Sequence, residues 1–304
     1  MDENRRKDEP DINSQDLEPV IRGWNYVPGE VSTRWVTDSR GQRKIQMRVA
    51  LGILQMEPDG RPDGERPHGM ESFLEYQEDR LRTHHEAHHT TDGFSISPEE
   101  CEELRQESYI FYLRYLCLFR LEDYDRAARD TARNLRVLDM MLHHTEKEDD
   151  RLSMEQYRPY IIMMNGRALA SQALEKGRRE EAAQVLERTS ETIRNFYFQM
   201  EREFEGLEGE ALVESSDELI VLDEMLKSLR EETNDIHEIA EEIPHEEPVL
   251  EEEDQSLPTS VIDSLKDEMN QAVKEEDYSR AASIRDRIRA LEKVIHKHHG
   301  GVHG

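Results

Sequence analysis

The stretch Ser97 to Ala128 reads SPEECEELRQESYIFYLRYLCLFRLEDYDRAA, and it decides the fold class. Ser97, Pro98 and Glu100 form a strong helix start. Ser97 caps, Pro98 takes the first helical position, and Glu100 closes a capping box. An amphipathic run follows to about Leu121, with Tyr109, Tyr112, Leu113, Leu116 and Phe119 among its apolar points. Glu122-Asp123-Tyr124-Asp125 is too short for anything but a tight reversal, and a second helix runs on to about His144. The Ala127-Ala128 pair just after the turn lets two backbones approach closely.

The pattern repeats downstream. A third helix starts near Met154 and carries Ile161, Ile162, Met164, Ala168, Ala170, Ala173 and Leu174. Lys176-Gly177-Arg178-Arg179 turns the chain into a fourth helix, Glu180 to about Phe204, with Ala182-Ala183, Leu186, Ile193 and Phe196. Ser215-Ser216-Asp217-Glu218 caps a further helix through Leu219, Ile220, Leu222, Leu226 and Leu229, continuing toward Ile236 and Ile239 before Pro244 stops it. The small residues after each turn resemble those of tetratricopeptide repeats, without that family's repeat-end Pro or early Trp-Leu-Gly. A plain helical bundle using the same packing accounts for the pattern equally well.

Upstream the character differs. Val31, Thr33 and Trp35 alternate with polar residues, as do Ile45, Met47 and Val49, around the turn Asp38-Ser39-Arg40-Gly41. This predicts a β-hairpin. Leu51 to Met56 reads as a third strand or a short helix, and Pro58 to Gly64 as a rigid loop. Arg22, Arg34, Arg40, Arg43, Lys44 and Arg48 lie here among Trp24, Tyr26 and Trp35. Single-stranded nucleic acid is bound by such basic and aromatic faces. The competing reading makes the rings the core of a small module with arginines on its outside. Met70 to about Thr91 reads as a short helix ending in His84-His85-Glu86-Ala87-His88-His89. Histidines one turn apart suit a metal, but no third ligand is fixed, so a solvated helix end is the expectation and no metal or cofactor is assigned.

Near the C-terminus, Leu265 to Leu291 reads LKDEMNQAVKEEDYSRAASIRDRIRAL, two apolar helical runs about the turn Glu275 to Tyr278. Met269, Ala272, Asp277-Tyr278, Ala281-Ala282, Ile284-Arg285-Asp286, Ile288 and Leu291 resemble the UVR motif. UvrB, UvrC, McsA-type regulators and some Clp-type ATPases share it. Tyr278-Ser279 stands where that family usually has Phe-Glu. The resemblance implies a helical hairpin that docks a protein partner, excinuclease-like or of the Clp or kinase-regulator kind. An isolated hairpin buries too little surface alone. Its seam residues Leu265, Met269, Val273, Tyr278, Ala282, Ile284, Ile288 and Leu291 are therefore the candidate partner-binding set. Lys44 to Gly69 also resembles a stretch found beside such motifs in bacterial proteins, which carries no activity with it.

The organisation expected is a disordered tail over 1–18, a β-containing module over 19–69 and a helix with His-rich connector over 70–96. A helical repeat-like domain over 97–243, an acidic linker over 244–258, the UVR hairpin over 259–296 and a flexible tail over 297–304 complete it. The fold class is mainly α. The 304-residue chain carries a net charge of −29, which repels nucleic acid and anionic membranes, so nucleic acid is a disfavoured partner. From Glu231 to Leu265 no Lys or Arg occurs, which suits a self-repelling spacer. Two cysteines, no apolar leader and no stretch long enough to span a bilayer lead to the expectation of a soluble cytoplasmic protein. No phosphate-cradling glycine loop, serine elbow or HExxH occurs, so the expected function is a non-enzymatic adaptor. The alternative is an excinuclease-related repair factor that contacts nucleic acid through residues 19–69.

Overall fold

A computed structural model describes residues 17–203 and 207–241. It is mainly helical, with a small antiparallel sheet near the N-terminus. Residues 1–16 of the expected tail and everything expected over 242–304, the acidic linker and UVR hairpin included, lie outside the described residues. The described residues all belong to one compact unit.

A single helical turn, α1 (Glu18–Ile21), precedes strands β1 (Thr33–Thr37), β2 (Arg43–Val49) and β3 (Gly52–Met56). The sheet order is β1-β2-β3, with Trp35 opposite Ile45 and Ile45 opposite Met56. Asp38 makes the first hairpin turn: its carboxylate accepts from the backbone N–H groups of Arg40 and Gln42, both at 2.9 Å, and Gly41 takes φ +79°. Leu51 to Met56, open to two readings from sequence, is a strand from Gly52.

Helix α2 (Phe73–His88) is capped by Ser72 and ends at His89 in the left-handed region. It is shorter than the sequence suggests, yet it is no mere connector, because Phe73 and Leu74 enter the core. Helix α3 (Pro98–Arg120) carries the predicted capping box at Ser97 and Glu100. Helix α4 (Tyr124–His144) follows, then the short α5 (Glu148–Leu152), α6 (Arg158–Glu175), α7 (Arg179–Glu203), α8 (Gly209–Glu214) and α9 (Asp217–Glu241). A 3-10 turn over Glu155–Tyr157 delays the third long helix from Met154 to Arg158.

The two hairpin turns share one hydrogen-bond pattern. At the first, Asp123 N donates to Leu118 O (3.0 Å) and Glu122 holds φ +60°. At the second, Arg178 N donates to Ala173 O (2.8 Å) and Gly177 holds φ +71°. Each is a left-handed C-cap closed by a bond spanning five residues. Asp123 then caps α4 by accepting from Arg126 N. Ala127, Ala128 and Ala182 are buried behind these turns, and Tyr124 meets Phe119 edge-on at 6.1 Å. Gly166 provides a closer approach that the sequence reading passed over. A Cβ there would lie 2.2 Å from Thr189 Oγ1 on α7.

The interior falls into three clusters. Ile45 and Met56 of the sheet pack with Cys117, Leu118, Ala127, Ala128 and Ala168. Phe73 and Leu74 pack with Leu104, Val137 and Met141. Tyr115, Met163, Leu186, Ile193, Leu219 and Leu222 join α3, α6, α7 and α9. The sheet therefore has no core of its own. It completes the core of the first helical hairpin.

Candidate docking surfaces

The basic N-terminal residues are occupied. Arg22 pairs with Glu18, Arg40 with Asp38, and the buried Lys44 with Glu57. Arg34 donates to the Gln46 side chain and to Val20 O, while Arg48 donates to Trp24 O and Gly52 O. The guanidinium of Arg34 lies 4.0 Å from the Trp24 ring centroid and that of Arg43 lies 3.8 Å from the Trp35 centroid. Both indoles thus have a face already covered by a cation. Burial corrects the reading of the rings as a module core. Trp24 and Trp35 are half-buried, Tyr26 is exposed, and Ile45 and Met56 take the interior positions. Ile45 and Met56 pack against Cys117 and Leu118 of α3 and Ala127 and Ala128 of α4, with Trp35 at the edge of that cluster, while Trp24 and Tyr26 lie before β1 and outside the strands.

The histidines meet in part. His84 and His88 rings are 4.5 Å apart, and His84 Nε2 lies 3.0 Å from Asp92 O. Cys101 is buried in the core, and burial pushes its thiol up to about 11. Cys117 is pushed up to about 11 by the same cause. Neither sulfur is a thiolate at neutral pH. Among the described residues no three His, Cys, Asp or Glu side chains gather as a metal would need.

A charged cleft that sequence reasoning missed joins the rigid loop to the first helical hairpin. Arg114, fully buried, forms a two-pronged pair with buried Asp130 (2.6 and 2.8 Å). Its remaining nitrogen donates to Glu57 O (2.9 Å) and Gly60 O (2.7 Å). Arg126 and Arg129 hold Asp59, and the hydrogen bond from Arg126 leads in bringing that carboxyl down to about 2. Glu107, also buried, accepts from Phe73 N (2.6 Å), Leu74 N (3.1 Å) and Arg133. A carboxylate thus sits where the α2 N-terminus presents free N–H groups. Burial pushes Arg133 down to about 9, so it stays charged at neutral pH. The cleft encloses about 440 Å³. Its arginines Arg114, Arg129, Arg133 and Arg136 are balanced by Asp59, Glu71, Glu75 and Asp130. The chemistry this supports is clamping of one segment of the fold to another.

A second surface follows the seam between α3 and α6. Tyr112 lies edge-on to Tyr160 at 6.4 Å, and exposed Tyr109 stacks on Tyr112 at 6.1 Å. Farther along, the Arg167 guanidinium lies 5.7 Å from the Phe119 centroid. This row of rings is apolar and partly open.

The sequence-predicted partner residues, Leu265, Met269, Val273, Tyr278, Ala282, Ile284, Ile288 and Leu291, all lie outside the described residues. No described helix is long and apolar enough to cross a membrane. No curated protein and no solved structure matches the chain at a significant level. Residues 259–294 match the family model described as UvrB/uvrC motif, so the chain carries that motif over the segment in which all eight of those residues fall.

Proposed function

We propose that the protein is a non-enzymatic adaptor of the cytoplasm that docks a protein partner through its UvrB/uvrC motif. The observation that carries the reading is the motif itself at residues 259–294. The partner class is excinuclease-like or of the Clp or kinase-regulator kind. The eight seam residues from Leu265 to Leu291 supply the contact, with the helical hairpins as a repeat-like scaffold.

Protein docking is favoured over contact with nucleic acid by the state of the basic module. Its cations are spent on Glu18, Asp38, Glu57, backbone carbonyls and two indole rings. A chain of net charge −29 offers phosphates little else. The test is affinity capture with the full chain and with Tyr278→Ala/Ile284→Ala. Loss of specific partners from the double variant is expected, and an unchanged partner set overturns the docking role. Single-stranded DNA and RNA titrations at low salt are the companion measurement. Tight, steeply salt-dependent binding would restore the repair-factor reading.

A further inference from the structure

Arg167 sits on α6 among rings, and it lacks what every arginine of the charged cleft has. Arg114, Arg129 and Arg133 each hold a carboxylate. The Nε of Arg167 is sealed from solvent and donates to nothing. Its one polar contact among the described residues is Nη1 to Met164 Sδ at 3.6 Å, a weak acceptor. Burial lowers its pKa, opposed by Tyr160 and Tyr124. A buried N–H without an oxygen acceptor costs stability, while the rest of the half-buried guanidinium stays within reach of a guest. Among the described residues no Asp or Glu pairs with it, so the group it lacks there is a carboxylate.

The surroundings say what should accompany the carboxylate. Tyr112 and Tyr160 meet at 6.4 Å on the N-terminal side of Arg167. Phe119 and Tyr124 meet at 6.1 Å beside it and beyond. Apolar ring surface therefore extends to both sides of the charge. A segment running through places an internal acidic side chain on the guanidinium and apolar neighbours on the two ring pairs. A chain terminus would cover one side only. The −29 charge of the whole chain repels acidic runs at long range, so a single carboxylate among uncharged residues fits best.

We propose that the seam between α3 and α6 is a second docking surface, taking a protein segment with one internal Asp or Glu flanked by apolar residues, the carboxylate pairing with Arg167. This surface lies on the helical body and is independent of the UvrB/uvrC motif.

The test uses the full chain and three peptide libraries. The first has blocked termini and a fixed central Glu, the second a central Gln, and the third no internal acid but a free C-terminal carboxylate. Enrichment from the Glu library alone is expected. The selected peptide should bind Arg167→Met at least about tenfold more weakly by fluorescence anisotropy, with Arg167→Lys in between. Arg167→Met should also melt no lower than the parent, since it removes a charge left without a partner. Arg167→Gln provides the same comparison if the Met variant does not fold. Four results overturn the proposal: no enrichment, equal enrichment with Gln, preference for the free terminus, or undiminished binding by the Arg167 variants. A clear fall in melting temperature for Arg167→Met or Arg167→Gln does so too, because it means the guanidinium is already satisfied within the protein.

Discussion

Replacing Arg114 by Met removes the most heavily engaged cation in the structure. Its guanidinium donates to both oxygens of Asp130 and to the carbonyls of Glu57 and Gly60, and both charged side chains are sealed from water. Methionine fills part of the volume but leaves the Asp130 charge behind. Breaking a buried pair from one side costs about 3–5 kcal/mol, mostly as the penalty for the stranded ion. Arg129 Nε still reaches Asp130 at 3.0 Å, which puts the expectation at the low end, about 3 kcal/mol. A domain stable by about 5–15 kcal/mol would survive with a visibly lower urea midpoint. Removing both charges, as Arg114→Met/Asp130→Leu, should recover at least half the loss, because an apolar pair of similar volume is often neutral. The two lost carbonyl bonds should also free the loop around Gly60, read as faster hydrogen exchange at residues 57–63. A loss below about 1 kcal/mol for the single variant would refute the reasoning, since it would mean that water reaches Asp130.

Other outcomes follow from the same geometry. Glu122 holds the left-handed C-cap that Gly177 holds in the second turn, so Glu122→Gly should stabilise by about 0.5–1 kcal/mol in chemical denaturation. Gly166→Ala should destabilise by about 1–3 kcal/mol, because the new Cβ meets Thr189 Oγ1 at 2.2 Å, and adding Thr189→Ala should return part of it. Asp59 has its folded pKa lowered to about 2 from an ordinary 3.8, so its contribution is present above about pH 4 and is lost as pH falls toward 2. Its side chain is largely exposed, which discounts that contribution to about 1 kcal/mol or less. Asp59→Asn should therefore lower stability at pH 7 and flatten its decline between pH 4 and 2, measured by urea titration at each pH.

What could be read in the residues, and what could not, divides along the range of the interactions. Ser97, Pro98 and Glu100 act on one helical turn, and the capping box forms as expected. Asp38 to Gly41 acts on one hairpin, and that hairpin forms. The charged cleft depends instead on Arg114 meeting Asp130 from the next helix and Gly60 from far upstream, which no local pattern encodes. A trace of it was nonetheless visible. Arg114 falls between Phe111 and Leu118 on the apolar stripe of α3, where a solvated charge has no business. Arg167 interrupts the apolar run from Ile161 to Leu174 in the same way. The two interruptions then resolve oppositely: Arg114 finds its carboxylate inside the fold, while Arg167 finds rings and a sulfur. A charge on an apolar stripe must be matched by something, because desolvation is costly whether the match is internal or external. Where the chain supplies the partner, the residue ties the fold together. Where no described residue does, as at Arg167, the unmatched charge is what the proposed docking of an acidic segment would satisfy.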